Sequence, residues 1–446
     1  MRPSILEKSR ETEILAEHEV VVLGGGSAGI AAAVAAARAG RSTLLIERYG
    51  FLGGMGTAGG VPSFCGLYAN VHGDIRQVSH GVTDDLLARL DRLGGLNAPH
   101  MAFGKTCARA FDLAALKIAA DDLLLSAGAN ILFHALGVGV VMRSERKIDA
   151  ILVETKSGRG AIRGQVFVDC SGDADLSAWA GAPYEQGDGA GNNYYPSLMF
   201  RVNGVDPVRA GNAWETVPKL MEQAEQEGRW RFPRKHAIIR PQKRGIEWRV
   251  NMTQLANPDG TAVNGVDAFQ LSQAEIEGRR QVASVLPFFR EVPGFENCYL
   301  VDTAAQLGIR QTRRVVGEYQ LTAEDVLNCA SFDDTIGVNG WMLEKHVKGR
   351  IELAWQRIPE SRGFNHLPLR MLVPKKIDNL FIAGRCASMT YEGQSSARVI
   401  GSCLVMGQAA GTAAAQAVST RQINRCIDIA VLQRRLELDG VFLGRD

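Results

Sequence analysis

Short apolar runs separated by glycine-rich or polar turns dominate the start of the chain. Residues 19–23 form a continuous β-branched run, which is typical of a strand buried on both faces of a parallel sheet. Residues 30–38 are an alanine-rich helical stretch, and residues 42–46 form a second apolar run. The order strand, turn, helix and strand predicts a βαβ unit.

Helical and strand patterns continue along the rest of the chain. Helices are predicted over residues 111–127, 213–227, 272–286 and 406–415, and strands over residues 130–136, 138–142, 148–155, 164–169, 198–202, 236–240, 246–252 and within 377–385. The last helix is made of very small residues, which allows close packing against a neighbour. We therefore expect an α/β protein.

Composition narrows the class of protein. The chain has 446 residues, of which 46% are hydrophobic and 22% are charged, as in soluble globular enzymes. A net charge of +2 gives no global attraction to nucleic acid or acidic membranes. Residues 1–18 are polar, and the apolar run 30–37 is much shorter than the ~18 residues of a membrane span. We expect a cytoplasmic protein that has no membrane span and binds no nucleic acid.

The cysteines give no sign of a metal or dithiol centre. The chain has 8 cysteines, and no two of them form a C-x-x-C pair. This spacing favours scattered, reduced thiols and gives no support to a metal cluster. We therefore predict no metal site.

The turn after the first strand carries a nucleotide-binding pattern. Residues 24–29 read G-G-G-S-A-G and lead directly into the predicted helix. Gly24 permits the tight turn, Gly26 lets the backbone approach a pyrophosphate, and Gly29 lets the helix pack closely on the strand. Glu47 ends the second strand, where its carboxylate can accept hydrogen bonds from ribose hydroxyls. The pattern predicts a dinucleotide site without a 2′-phosphate.

Later segments favour FAD over NAD as the dinucleotide. Residues 48–60 are rich in glycine, so that the backbone of this loop can lie against a phosphate or a flat ring. A simple NAD dehydrogenase needs no such loop after its ribose-binding acid, whereas an extended FAD crosses the whole domain. Residues 164–176 and 377–385 add two buried strands with polar or glycine-containing turns.

Six motifs together resemble one known family. They are G-G-G-S-A-G (24–29), E-R-Y-G-F-L-G-G-M (47–55), D-C-S-G-D-A-D-L (169–176), L-G-I-R-Q-T-R-R-V-V-G-E-Y (307–319), I-D-N-L-F-I-A-G-R (377–385) and S-A-R-V-I-G-S-C-L-V-M-G-Q-A-A-G (396–411). The chain resembles the FAD-dependent oxidoreductases with a glutathione-reductase-like fold, in a layout akin to fumarate reductase flavoproteins. The resemblance implies a Rossmann-like FAD-binding domain (1–196 and 331–446) with an inserted α+β substrate or cap domain (197–330).

The resemblance also implies which residues hold the cofactor. FAD is expected to bind noncovalently, with the helix near Met406 pointing its N-terminus at the flavin ring. The implied cofactor-binding residues are Gly24, Gly26, Ser27, Ala28, Gly29, Glu47, Arg48, Gly53, Gly54, Met55, Thr57, Asp173, Gly384, Arg385, Gly407 and Ala410.

Four residues are candidates for the chemistry. Arg398 and Arg310 lie in family motifs, and a guanidinium there could bind a substrate carboxylate. Tyr391 follows the C-terminal strand, and His72 follows the glycine-rich loop. Either could handle a proton, as could their neighbours Glu392 and His80, although lone histidines are more often structural.

A basic segment, residues 229–249, allows several interpretations. It has eight lysines and arginines, one acid and interleaved aromatic residues. A solvated face or a subunit contact is the favoured interpretation. An anionic substrate, a redox partner or nucleic acid are the alternatives.

The predicted activity is hydride transfer between a small organic, possibly carboxylate-bearing, substrate and FAD. One alternative is an oxidase or monooxygenase, in which O₂ reacts with the reduced flavin. Another is a module that holds FAD without catalysis and presents a surface to a partner. The sequence leaves the second electron donor or acceptor open, and a homo-oligomer is a further possibility.

Overall fold

The structure of the chain, a computed structural model, describes residues 5–6 and 9–445. The strands are β1 (Ile14–Leu23), β2 (Thr43–Ile46), β3 (Ser63–Phe64), β4 (Tyr68–Val71), β5 (Asp74–Gln77), β6 (Leu96–Ala102), β7 (Thr106–Phe111), β8 (Asn130–Leu132), β9 (Leu136–Ser144), β10 (Lys147–Thr155), β11 (Gly158–Asp169), β12 (Tyr184–Gln186), β13 (Phe200–Asn203), β14 (Ile238–Pro241), β15 (Glu247–Asn251), β16 (Tyr299–Thr303), β17 (Arg313–Val315), β18 (Thr335–Asn339), β19 (Leu343–Val347), β20 (Arg350–Ala354), β21 (Asn365–Pro368) and β22 (Leu380–Ile382).

Helices connect and cover these strands. They are α1 (Ser27–Arg38), α2 (Val82–Arg92), α3 (Leu113–Ser126), α4 (Asp175–Trp179), α5 (Pro207–Ala210), α6 (Ala213–Gln226), α7 (Ala268–Val285), α8 (Ala323–Leu327), α9 (Tyr391–Ala397), α10 (Ile400–Thr420) and α11 (Ile429–Leu438). Short 3₁₀ turns lie at Gly54–Gly56, Leu286–Glu291, Leu369–Leu372 and Asn424–Cys426. Within the described part of the chain, no helix is both long and apolar enough to cross a membrane.

A seven-stranded sheet forms the centre of the first part of the molecule. Its strands run in the order β8-β2-β1-β11-β10-β9, and β22 pairs with the end of β11. The pairings of β1 with β2 and β11, of β2 with β8, and of β11 with β22 are all parallel. Strands β9 and β10 add antiparallel pairings at one side. The predicted mixed α/β fold with a parallel sheet is confirmed.

Helices α1 and α10 pack against each other almost backbone to backbone. A Cβ on Gly407 would overlap the carbonyl oxygen of Ala28, and one on Gly411 would overlap that of Ala32. The small residues predicted near the C-terminus are therefore needed for this contact. The prediction placed the start of this helix near Met406, but α10 begins at Ile400. The N-cap residue Val399 has extended backbone angles, which set the actual start.

A second sheet has a hydrophobic core of its own. Strands β14, β15, β13 and β16 are antiparallel neighbours in that order. The buried side chains around them form a separate cluster with α6 and α7, from Leu198 to Leu307. The predicted helices 213–227 and 272–286 correspond to α6 and α7, although α7 begins earlier because Asp267 accepts hydrogen bonds from two backbone N–H groups as its N-cap.

The basic segment 229–249 is not a uniformly solvated face. Arg229 is exposed, whereas Arg234 and Arg249 are each only 1% exposed. The guanidinium of Arg249 donates to the backbone carbonyls of Val61 and Phe111 and lies over the Phe111 ring. Burial lowers the pKa of Arg249 to about 9. The prediction of a solvated face was wrong for these two arginines, because the second sheet packs them against the first part of the chain.

Candidate functional site

One elongated cavity connects the glycine-rich turn with the start of α10. Its volume is about 1050 Å³. Gly24 and Glu47 line one end, and Arg398 and Ile400 line a more distant part of the same cavity. Residues of the second sheet region, including Asn251 and Arg310, complete the wall. The cavity therefore draws on both hydrophobic cores and is large enough for an extended ligand.

The turn between β1 and α1 has no room for side chains at two of its glycines. Gly24 has a φ of +101°, and a Cβ there would overlap the Cys170 carbonyl. A Cβ on Gly29 would overlap the carbonyl oxygen of Gly24, so Gly29 serves packing and does not line the cavity. Gly26 is the N-cap of α1, which leaves the first N–H groups of the helix directed outward beside the cavity.

The Glu47 carboxylate is fixed beside this turn. Its Oε2 accepts a 2.7 Å hydrogen bond from the Gly25 N–H, and its Oε1 accepts one of 2.9 Å from the Tyr49 N–H. The residue is 7% exposed and lines the cavity. Each carboxylate oxygen can accept a further hydrogen bond, so Glu47 can still receive a ribose hydroxyl.

The loop after β2 closes on the turn from the other side. A Cβ on Gly54 would lie 2.7 Å from the Cα of Gly26, so the two backbones form a cradle that only glycine permits. Gly54 and Met55 line the cavity, whereas Gly53 does not. Thr57 is buried outside the cavity, and its hydroxyl donates to the Leu52 carbonyl at 2.7 Å.

A polar pair joins the loops that follow the parallel strands β11 and β22. The Arg385 guanidinium lies 2.7 Å from Oδ1 of Asp173, and its second nitrogen donates to the Ile309 carbonyl. Gly384, with a φ of +87°, packs beside α1. Both members of the pair line the cavity. Ligands of open parallel sheets bind at this carboxyl edge of the strands.

Arg48 lies near the same end. It lines the cavity and donates a 2.8 Å hydrogen bond to the side-chain oxygen of Gln306. Its guanidinium also lies 5.0 Å from the centroid of the Tyr49 ring. Ser27 and Ala28 line the cavity at the start of α1. Most of the implied cofactor residues thus lie around one space.

The two predicted substrate arginines both line this cavity. Arg310 donates to the Tyr195 carbonyl at 2.6 Å and to the Ser197 hydroxyl at 3.1 Å. Arg398 lies between α9 and α10 and donates to the backbone carbonyl of Glu344 at 3.3 Å. Burial lowers the pKa of Arg310, and the nearby cations Arg234 and Arg398 lower it further.

Other predicted residues lie away from the cavity. His72 is exposed in the turn between β4 and β5, and its backbone N–H donates to Ser361. Tyr391 contacts Tyr194, with ring centroids 4.5 Å apart, but does not line the cavity. His80 pairs with Asp84 at the start of α2. Gly407 and Ala410 are buried within α10 outside the cavity wall, and Gly407 faces α1.

Glu344 and His346 on β19 lie in none of the motifs that mark the site in the sequence. Both line the cavity, and they form a 3.0 Å pair between Oε1 and Nε2. Burial and the neighbouring Arg310 hold the pKa of His346 well below its usual value. Despite its burial, the pKa of Glu344 is lowered to about 2 by His346, Arg398 and the Trp341 indole. Within the described part of the chain, no three or more of His, Cys, Asp and Glu are grouped to hold a metal.

The parallel sheet, the glycine turn, the carboxylate at its edge and the long cavity together define a flavin-dependent oxidoreductase. Residues 19–436 match the family model described as FAD dependent oxidoreductase, so the chain belongs to that family. Its cofactor is FAD, and the cradle of Gly26 and Gly54 with the Glu47 carboxylate fits such a group. The six sequence motifs resembled the FAD-dependent oxidoreductases, and membership of that family is confirmed.

Comparisons with individual proteins give only distant likenesses. No curated protein matches the chain. A geranylgeranyl bacteriochlorophyll reductase-like protein from Thermoplasma acidophilum is 14% identical over 95% of this chain and 83% of that chain, with a TM-score of 0.47. The flavin-dependent brominase Bmp2 is 12% identical over 94% of this chain and 83% of that chain, with a TM-score of 0.46. The p-nitrophenol 4-monooxygenase PnpA from Pseudomonas putida DLL-E4 is 11% identical over 96% and 87%, with a TM-score of 0.45.

Proposed function

We propose that the protein transfers a hydride between a small organic acid and noncovalently bound FAD. The observation that carries this proposal is that Arg310 and Arg398 line the same cavity as the glycine turn and Glu47. Guanidinium groups bind carboxylates through paired, charge-assisted hydrogen bonds. FAD, when bound, supplies the acceptor or donor of the hydride.

The cofactor-binding residues fall into three groups along the cavity. The turn at Gly24 and Gly26 would hold the phosphates against the N-terminus of α1, and Glu47 would accept ribose hydroxyls. Asp173 and Arg385 lie at the edge between β11 and β22, where they would bind the middle of the cofactor. The start of α10, which also lines the cavity, would favour negative charge beside it.

The substrate end is built from both parts of the chain. Arg310 follows the second sheet, whereas Arg398 precedes α10 of the first part. We propose that residues 197–330 form the substrate or cap domain and that the remainder binds FAD, because residues 198–307 have their own core. The end of this stretch also serves the first part, since β17 pairs with β12.

When the substrate is oxidised, a hydride and a proton are removed from two adjacent atoms of the substrate. A hydride leaves carbon, a proton leaves the neighbouring atom, and a double bond forms between the two atoms. Arg310 and Arg398 would bind the anionic group and so orient the substrate. The burial of Arg310, with Arg398 half-buried, limits competition from water for the same hydrogen bonds.

An anaerobic screen tests the proposal. Carboxylates, alcohols and amines are mixed with the FAD-loaded protein, and bleaching of the flavin is followed. We expect a carboxylate to bleach it, and Arg310→Met or Arg398→Met to slow bleaching while FAD stays bound. Arg143→Met is the control because Arg143 is exposed and pairs with Asp149 away from the cavity.

The same experiment can contradict the proposal in two ways. If no compound of any class exchanges electrons with the flavin, the protein holds FAD without catalysis. If substrate-reduced protein reoxidises rapidly and productively in air, the oxidase or monooxygenase alternative replaces a dehydrogenase.

A further inference from the structure

Glu344 and His346 form a fixed pair at the substrate end of the cavity. They lie two positions apart on β19, so their side chains point to the same face of the strand. His346 Nε2 lies 3.0 Å from Glu344 Oε1, and the Trp341 indole N–H donates to Glu344 Oε2 at 2.9 Å. The side chains of His346 and Glu344 are only 6% and 9% exposed. Both oxygens of the Glu344 carboxylate therefore form a hydrogen bond, and the bond to Nε2 fixes the orientation of the His346 ring.

Two guanidinium groups line the cavity with this pair, and a third is buried behind the cavity wall. Arg310 and Arg398 line the cavity, and Arg234 lies close enough to lower the pKa of both Arg310 and His346. Arg234 is 1% exposed and donates to Asn251 at 2.8 Å. Its Nε and Nη2 find no hydrogen-bond partner among the described residues, and neither does Nε of Arg398.

The charges in this region do not balance. Three guanidiniums against the one carboxylate of Glu344 leave two positive charges, because arginine stays protonated and His346 is neutral. Buried charges of one sign without partners are costly. Nε of Arg398, which lines the cavity, is an unsatisfied donor available to an anion, whereas Arg234 lies behind the cavity wall and contributes its positive charge.

We propose that a dianionic group binds at Arg310 and Arg398, with the positive charge of Arg234 behind the cavity wall adding to its attraction, and that its arrival places a proton on His346, which donates that proton to the substrate. The dianion is either two carboxylates or one phosphate- or sulfate-like group. This deepens the proposed function, and it rests on that function only where it assigns the proton to the redox substrate.

The physical reason is the change of charge beside the imidazole. Without an anion, burial, Arg310 and Arg234 hold the pKa of His346 far below its usual value and outweigh Glu344. A dianion neutralises the two excess positive charges, so the pKa of His346 rises. Binding of the anion and of the proton therefore strengthen each other.

The proton has a defined place on the ring. The Nε2–H group of His346 keeps its hydrogen bond to the Glu344 carboxylate. The incoming proton binds Nδ1, which forms no hydrogen bond with any of the described residues. When the substrate is reduced, Nδ1–H gives this proton to the substrate atom beside the one that receives the hydride. His346 is then neutral, and the next anion brings its proton with it.

Calorimetry of the FAD-loaded, oxidised protein tests the coupling without turnover. Malonate and sulfate serve as dianions, and acetate serves as the monoanion, in two phosphate-free buffers with different enthalpies of ionisation. We expect dianions to bind with uptake of up to one proton, and their affinity to approach a tenfold increase for each unit that the pH falls. Comparing malonate with sulfate distinguishes the two kinds of dianion.

Variants separate the roles of the residues. His346→Gln can keep the hydrogen bond to Glu344 but cannot take a proton, so we expect dianion binding without proton uptake. His100→Gln is the matched control, since His100 lines the same cavity beside Arg240 and should leave proton uptake unchanged. Arg234→Met should raise the Kd for malonate at least tenfold and the Kd for acetate by a smaller factor.

Three results would overturn the proposal: no dianion binds, dianions bind without proton uptake between about pH 6 and 8, or uptake persists in His346→Gln. These results are independent of the proposed function, which fails separately if no organic acid reduces the flavin.

Discussion

The backbone N–H of Gly25 donates a 2.7 Å hydrogen bond to the carboxylate of Glu47, so the glycine turn and the acid that follows β2 position each other. Hydrogen bonds to a charged group contribute about 1.5–3 kcal/mol. In the proposed site Glu47 would therefore have two tasks, one within the protein and one toward FAD.

Replacing this carboxylate should weaken cofactor binding. We expect Glu47→Gln to raise the Kd for FAD by about tenfold or more, because the amide is uncharged and presents one acceptor in place of two. Titration of the apoprotein with FAD, followed by flavin fluorescence, measures the change. Glu17→Gln is the control, as Glu17 lies exposed on β1. An unchanged Kd would contradict the role of Glu47.

Gly407 tests whether α10 contacts FAD directly or holds α1. Gly407→Ala would push a Cβ against the Ala28 carbonyl, and we expect it to destabilise the fold by about 1–3 kcal/mol. Gly139→Ala is the control because its Cβ would meet only Leu152, at 3.7 Å. Thermal unfolding and FAD titration are compared. A lower FAD affinity with unchanged stability would instead support the cofactor contact implied by the sequence resemblance.

Asp175 should give the protein a pH-dependent stability. Burial raises its pKa to about 6, and Asp173 and Asp169 add to this effect against Arg313. A pKa raised on folding stabilises the native state below the unfolded value of about 3.9, and this stability is lost as the pH rises through 6. Asp175→Asn should therefore flatten the Tm profile between about pH 4 and 6. An unchanged slope across that window would contradict this assignment.

Arg249 should anchor the second sheet to the first part of the chain. Arg249→Met removes the charged hydrogen bonds that the guanidinium donates to the Val61 and Phe111 carbonyls, which are worth about 1.5–3 kcal/mol each. We expect a lower Tm, together with faster proteolysis of the second sheet region. Arg244→Met, at an exposed position, is the control. Equal stability of the two variants would refute the anchor.

Local patterns predicted the fold better than they predicted the substrate end. Residues 19–47 could be interpreted from neighbours in sequence, because the apolar runs, the glycine spacing and Glu47 act within one βαβ unit. His72 follows the glycine-rich loop in sequence, but the turn between β4 and β5 carries it to the surface.

The sequence did not indicate Arg234 and His346, because their positions depend on contacts between distant parts of the chain. Arg234 lies among several exposed lysines and arginines, and only the second hydrophobic core explains its burial. His346 follows Lys345 on a short strand, and Lys348 comes directly after that strand, a pattern typical of a solvated hairpin. Its orientation toward the cavity becomes visible only when β19 is placed beside α9 and Arg310.

The contact between α1 and α10 has a mechanical consequence. Helix α1 begins where the phosphates of the cofactor would lie, and α10 begins beside Arg398. The two tightly packed helices therefore connect the proposed phosphate site with the proposed substrate site. The second sheet contributes cavity-lining residues such as Asn251 but takes no part in this helix contact. Exchange of its cavity-facing side chains should therefore change which substrates bind while the helix pair stays intact.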